Sequence, residues 1–166
     1  FRVSLINTMA AEAHIFPEQK LLISRFSGVL TNELFKGYYD DLLSLPGATI
    51  DFSELVDFRQ ITEVAIDDNT LAWVALQVDQ AFKSAVIKPK CAVLAPHDLG
   101  FGLARMYEGG MSPNNVELGV FRDVAEALGW LKIDRPDFET ALEQLDQSSP
   151  SLVLRRPSDP GPDSTR

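Results

Sequence analysis

Two strand-to-helix units follow one another in the second half of the chain, Lys90–Glu108 and Val116–Leu131, and their succession restricts the fold more than any other feature. In the first, Lys90 to Ala95 is a short apolar run of the kind that fills a strand buried on both faces. Pro96 stops it, and Asp98 to Glu108 reads as a helix with Leu99, Leu103 and Met106 inward. Gly100 and Gly102 would let that helix approach a neighbour closely. In the second, Val116 to Phe121 reads as a strand. Asp123 with Glu126 three residues on forms a capping box ahead of Val124, Ala127, Leu128 and Leu131 at i, i+3, i+4 and i+7. Such units in series imply parallel neighbouring strands joined by right-handed crossovers, so the chain reads as α/β.

The first half supplies the rest of the sheet. His14-Ile-Phe16 and Lys20 to Phe26 are apolar runs separated by Pro17-Glu18-Gln19, and read as an antiparallel hairpin. Thr31 caps a helix with Leu30 and Phe35 as its hydrophobic staple and Leu34, Phe35, Tyr38, Leu42 and Leu45 at helical spacing; Pro46-Gly47 ends it. Ala48 to Val56 reads as the next strand and Gln60 to Val64 as a loop. Asp67 is an N-cap, with Ile66 and Leu71 stapled across it and Leu71, Val74, Ala75, Val78 and Phe82 on one stripe. Beyond the second unit, Asp134 and Pro136 start a helix whose Phe138, Leu142 and Leu145 face one way. The expected organisation is an arm over 1–13, an α/β domain over 14–131, a C-terminal helix over 132–147, and a flexible tail over 148–166, rich in Ser, Pro, Asp and Arg.

Composition limits the partners. With 45% hydrophobic and 23% charged residues over 166 positions, the chain has the make-up of an ordinary globular domain. A net charge of -9 with no basic cluster repels a phosphate backbone, which argues against nucleic acid. No apolar run approaches the roughly 18 residues a membrane span needs, so no membrane insertion is expected. Cys91 is the one cysteine, which rules out an internal disulfide and a cysteine-based zinc site and points to a reducing, cytoplasmic setting. Phe1 to Thr8 lacks the basic start and continuous apolar core of a secretory signal.

The hairpin followed by strand-helix units, together with Ala95-Pro96, Asp98, the segment Phe101-Gly-Leu-Ala-Arg-Met-Tyr-Glu108 and the segment Val120 to Leu131, resembles a group of small bacterial proteins related to the STAS domains, the fold of anti-sigma-factor antagonists. The likeness covers about His14 to Leu131, and Phe101 to Met106 is its distinctive part. The resemblance implies a mixed sheet with an N-terminal hairpin and a βα superhelix, helices packed on the sheet, often a dimer, and a role in binding or regulation. Antagonists of this fold carry a phosphorylatable serine, in an Asp-Ser context, at the start of the helix after the central strand. Here that place holds Asp67-Asp68-Asn69, with Thr70 the nearest hydroxyl, so two permanent carboxylates stand where a switch would be.

Candidate chemistry is sparse. Arg105, four residues after Phe101 and three before Glu108, can lie over the ring and pair with the carboxylate, or bind an anionic ligand or partner. Pro96-His97-Asp98 sits at the carboxyl end of a parallel strand, where open α/β sheets place ligands, and His97 is the candidate acid-base group there. Any pocket is expected there, between Pro96–Gly102 and Asp67–Thr70. Asp67, Asp68 and Glu63 lack the spacing of a calcium loop, Cys91 reads as an inert core residue, and Ser53 lacks a nucleophile elbow. Trp73 and Trp130 fall off their helices' inward stripes; exposure would make them partner contacts, and for Trp130 partial burial under the C-terminal helix is an equal alternative. The leading reading is a non-enzymatic binding or regulatory module, a homodimer, with no cofactor and no metal. The alternative is a lipid or nucleotide carrier, or a small enzyme, working at the Pro96–Gly102 pocket.

Overall fold

The computed structural model of the chain describes residues 10–44, 52–111, 115–134, 136, 138 and 152–154. The two strand-helix units build as expected: β4 (Lys90–Leu94) and β5 (Glu117–Phe121) run parallel, with Val93 opposite Val120. Each leads into a helix, α3 (Asp98–Gly110) and α4 (Val124–Leu131). Upstream lie β1 (Ala10–Phe16), β2 (Leu21–Thr31), α1 (Asn32–Leu43), β3 (Ser53–Ala65) and α2 (Asp68–Phe82). A short β6 (Leu152–Leu154) completes a six-stranded sheet of order β5-β4-β3-β2-β1-β6. Strands β2 to β5 are mutually parallel, while β1 is antiparallel to both β2 and β6. This is the α/β mixed sheet with an N-terminal hairpin and successive βα units that the sequence implies.

Local chemistry accounts for the helix ends. Thr31 Oγ1 accepts from the Leu34 amide at 3.2 Å, Asp67 from Thr70 at 2.7 Å and Asp123 from Glu126 at 3.1 Å, each satisfying an amide that the first turn leaves without a partner. Lys132, at a φ of 58°, closes α4 by donating its amide to the Gly129 carbonyl. Gly119 is required by close packing: a Cβ there would lie 2.7 Å from the Phe121 ring.

Strand alternation divides the core in two. On the first face Leu22, Phe26, Val56, Phe58, Cys91 and Val93 pack against α1, α2 and α3. Phe26 is ringed by Phe35, Tyr38 and Phe58 at centroid distances of 5.8, 4.8 and 5.7 Å. On the second, Leu21, Ile23, Leu55, Ala92 and Leu94 meet Ala127, Leu128 and Leu131 of α4, and Phe138.

Several expectations are corrected. Strand β1 begins at Ala10, so Ala10–Ala13 belong to the sheet rather than to an arm. The loop expected at Gln60 to Val64 is strand: Gln60 pairs with Ser27 and Val64 with Leu30, with one register shift on the way. Strand β4 reaches only as far as Asp57 along β3, so the rest of β3 has β2 alone as neighbour and tolerates the polar residues that made it read as a loop. Within the expected tail, Leu152–Leu154 pairs with Ala11–Ala13 on the outer edge of β1. Helix α3 is rotated from the expected stripe: Leu99 and Met106 are 54% and 55% exposed, while Gly100, Leu103, Ala104 and Tyr107 face inward. That alternative stripe has the same helical spacing and puts small residues where the helix rests on the sheet. Gly100 lies against Ala95 and Phe58, whereas a Cβ at Gly102 would meet nothing within 4 Å. Leu45, Pro46-Gly47, Ala48 to Asp51, Leu142 and Leu145 lie outside the described residues.

Candidate functional site

Glu54 stands on the first face of β3, in the same alternation as Val56 and Phe58, and pairs in register with Leu22 and Cys91 of the flanking strands. Ser24 Oγ donates to Glu54 Oε1 at 2.6 Å, and the Tyr38 hydroxyl donates to Ser24 Oγ at 2.5 Å. The carboxyl therefore ends a relay of two hydroxyls whose owners, Ser24 and Tyr38, are fully buried. Burial raises the Glu54 pKa above the usual carboxylate range, against hydrogen bonding from Ser24, Cys91 and Tyr39 that favours the anion. Burial also pushes Cys91, Tyr38, Tyr39 and Tyr107 well up, with the Glu54 charge adding to each shift.

Glu54 lines an apolar pocket with Leu42, Val78, Phe82, Met111 and Leu118 among its walls. Its free interior is about 30 Å³, room for a water molecule or two. The pocket lies at the amino ends of β3, β4 and β5, under the carboxyl ends of three helices. Leu42 and Leu43 close α1, Phe82 closes α2, and Met111 is the C-cap of α3.

On the opposite face of β3, three residues on, Asp57 is 1% exposed. Arg59 Nε and Nη2 donate to its two oxygens at 2.9 Å each, and Arg25 Nε lies 3.5 Å away. The same face carries His14, 4% exposed, with Nε2 3.2 Å from Glu12 Oε2. Burial lowers the His14 pKa; the Glu12 hydrogen bond and charge oppose it and Arg25 adds to it.

The residues singled out from sequence sit elsewhere. At the carboxyl end of β4, His97 is exposed and is the N-cap of α3 without a side-chain hydrogen bond. Phe101 is covered by Arg122 rather than by Arg105, the guanidinium carbon lying 4.2 Å from the ring centre. Arg122 also bonds Asp98 Oδ1 at 2.8 Å and the Pro96 carbonyl at 3.1 Å, so the expected strand-end crevice is bridged by a side chain the sequence reading passed over. Arg105 pairs with Glu108 as expected. Both arginines thus have carboxylate partners, and neither offers the free positive charge an anion would need.

Asp67 is tied down as well: besides capping α2 it accepts from Asn32 Nδ2 at 3.0 Å, and its amide donates to Asn32 Oδ1 at 2.9 Å. Its pKa is lowered chiefly by hydrogen bonding from the Thr70 amide. Asp68 is exposed beside it, and Thr70 is 1% exposed, out of a kinase's reach. Trp73 is half-buried rather than exposed and Trp130 is half-buried, with Lys36 and Lys90 amino groups 5.6 and 4.9 Å from their rings. Each ring packs on its core and keeps one face for a cation. Among the described residues no cluster of His, Cys, Asp and Glu could hold a metal ion, and no helix is long and apolar enough to cross a membrane.

Glu54 was missed because strand parity was not followed through Phe52-Ser-Glu-Leu-Val-Asp-Phe58. Val56 and Phe58 mark one face as core and put Glu54 on it; Leu55 marks the other and puts Asp57 there. An acid on each face of a two-sided buried strand was the available signal.

No family model matches the chain, and no curated protein matches it. A crystal structure similar to it is that of an uncharacterised protein of the DUF3478 family with a SpoIIAA-like fold, from Shewanella loihica PV-4. The two are 22% identical, with a TM-score of 0.49, over 77% of this chain and 97% of that one. A likeness of this degree says nothing of what this chain binds.

Proposed function

We propose that this chain is a non-enzymatic binding module that takes a water-sized head group of a small, largely apolar molecule into the Glu54 pocket, the rest of the molecule lying along the pocket's opening to solvent. The observation that carries this reading is a titratable carboxyl with an oriented hydroxyl partner lining an apolar pocket, the combination that marks small-molecule sites. Its neighbours favour binding over catalysis. A Cys91 thiol and tyrosine hydroxyls pushed well above their ordinary pKa values stay protonated at neutral pH, so none is an activated nucleophile. A lone, buried cysteine supports a cytoplasmic setting. The test is an NMR titration with 1-hexanol. Saturable shifts at Leu42, Val78, Cys91 and Met111, lost in a folded Val78→Phe variant that fills the space from α2, support the reading. Shifts scattered over the surface, or none, overturn it.

A second reading concerns assembly. Met106 stands exposed between Arg105 and Glu108 and borders a surface groove of about 290 Å³ between α2 and α3. Two copies pairing antiparallel along α3 would set the arginine of one against the glutamate of the other, the self-complementary arrangement of a two-fold interface. This supports a homodimer. Light scattering at micromolar concentration should give the mass of two chains, and Met106→Glu that of one; a monomer mass for the unaltered chain rules it out.

A further inference from the structure

The position of the Glu54 pocket, beneath the carboxyl ends of α1, α2 and α3, bears on what the pocket can hold. Each helix carries about half a negative charge at that end, and none of the three has a basic residue in its last turn. Lys83 follows α2 as its exposed cap residue, and Lys90, one of the pocket's lining residues, turns its amino group to the Trp130 ring and carbonyl. Among the described residues no lysine, arginine or histidine forms a salt bridge with Glu54. Asp57, three residues away, shows how this chain treats a buried acid meant for structure: it surrounds it with two guanidinium groups.

From this we propose that the pocket binds a primary ammonium group carried on a short apolar chain, the head alone in the enclosed space on the Glu54 carboxylate and the chain leading out along Leu42, Phe82 and Met111 through the opening to solvent. The proposal rests on the reading of the pocket as a ligand site and names the ligand's chemistry. A carboxylate offers about four lone-pair sites. Ser24 Oγ occupies one of them, leaving acceptor capacity for an N–H of the ligand. An ammonium head is close to a water molecule in size and suits a free interior of about 30 Å³. Tyr39, Tyr107, Phe52 and Phe82 among the lining residues make the surroundings aromatic, a setting that stabilises cations.

Binding is coupled to a proton. Where the empty pocket holds Glu54 protonated, the ammonium displaces that proton: the carboxyl O–H bond breaks, the proton leaves to solvent, and an N–H···O⁻ bond replaces it. Affinity therefore rises with pH until Glu54 is ionised in the free protein. The groups facing Glu54 are Tyr38 and Tyr39 from α1, Ser24 from β2, Cys91 from β4 and Tyr107 from α3, with Asp79 of α2 acting on Tyr107. The hydroxyls and the thiol are all shifted upward, so none of them loses a proton as Glu54 does.

The experiment is calorimetric titration of the full chain with n-hexylammonium and with 1-hexanol, from mildly acid to mildly alkaline pH. Hexylammonium should bind about tenfold or more tighter than the alcohol, the size of one charge-assisted hydrogen bond, and tighten as pH rises. In mildly acid solution, buffers of different ionisation enthalpy should reveal a proton released by hexylammonium and none by 1-hexanol, a readout that needs no variant. Glu54→Gln should remove the advantage of hexylammonium over the alcohol, together with its pH dependence and its proton release. Equal, pH-independent binding of the two probes overturns the ammonium proposal and leaves the pocket reading standing. Binding of neither overturns both.

Discussion

Glu54 and Asp57 are two acids on one strand, three residues apart and on opposite faces of the same sheet, and the protein handles them in opposite ways. Asp57 is held by Arg59 through two side-chain bonds and flanked by Arg25, so its charge is answered within the fold. Glu54 is met by the Ser24 hydroxyl, itself bonded by the Tyr38 hydroxyl, a relay that donates a hydrogen bond without bringing a charge. A buried acid with built-in cations is part of the architecture; one given dipoles alone is held ready for a charge from outside or for a proton.

The comparison is broken most directly by removing each acid in turn. Asp57→Ala leaves Arg25 and Arg59 facing one another without a counter-charge. Loss of one partner of a fully buried pair costs about 3 to 5 kcal/mol; because Arg59 is partly exposed, the expected loss is about 2 to 3 kcal/mol in urea unfolding. A loss under about 0.5 kcal/mol, the scatter of surface changes, would make Asp57 no more structural than Glu54.

Glu54→Gln should act in the other direction. Burial raises the folded-state pKa of Glu54, so the acid is at its least costly below its unfolded pKa of about 4.3. Wild-type stability then declines as pH rises through the folded pKa. The glutamine has no such slope, so the variant gains on wild type as pH rises and levels off above that pKa, by less than the loss at Asp57. Parallel stability-pH curves for the two proteins would show that Glu54 is not destabilised by ionising.

His14 sharpens the same contrast from the second face. Burial lowers its pKa, so its contribution is intact above the unfolded value of about 6.5 and is lost as pH falls through the folded one. His14→Gln should flatten the decline of stability below about pH 6.5 while leaving the alkaline side unchanged. An unaltered acid limb would show that Glu12 compensates fully for burial.

The architecture was largely legible, because period and caps are local signals. Asp67 and Asp123 cap the helices expected of them, and the stripes of α2 and α4 face the core. What escaped depends on partners distant in the chain. Gln60 to Val64 looks polar in isolation and becomes strand by pairing with β2. Leu99-Leu103-Met106 and Gly100-Leu103-Ala104-Tyr107 are equally good stripes on paper; the contact of Gly100 with Phe58 goes with the second. The expected site followed the rule that ligands gather at the carboxyl ends of parallel strands. It could not register that Arg122 bridges that end, while the helices leave a pocket at the other.

The smallest effects come from the two arginines of the strand-end region, and their difference checks whether that end is structural. Arg122→Ala removes a cation from the Phe101 ring, the pair with Asp98 and the bond to Pro96, three contacts that tie α3 to the start of α4. At an exposed site a cation-aromatic contact is worth about 0.5 to 1 kcal/mol, and that is the expected loss. Arg105→Ala removes a solvent-facing pair with Glu108 within one helix, worth about 0.5 kcal/mol or less. Thermal melts of the two variants, run with and without phosphate and carboxylate ligands, distinguish the roles. Arg122→Ala should melt lower than Arg105→Ala, with no anion stabilising either. A phosphate-dependent rise in the wild-type melting temperature that disappears in Arg105→Ala would place an anion site at the carboxyl end of the sheet, as the sequence suggested.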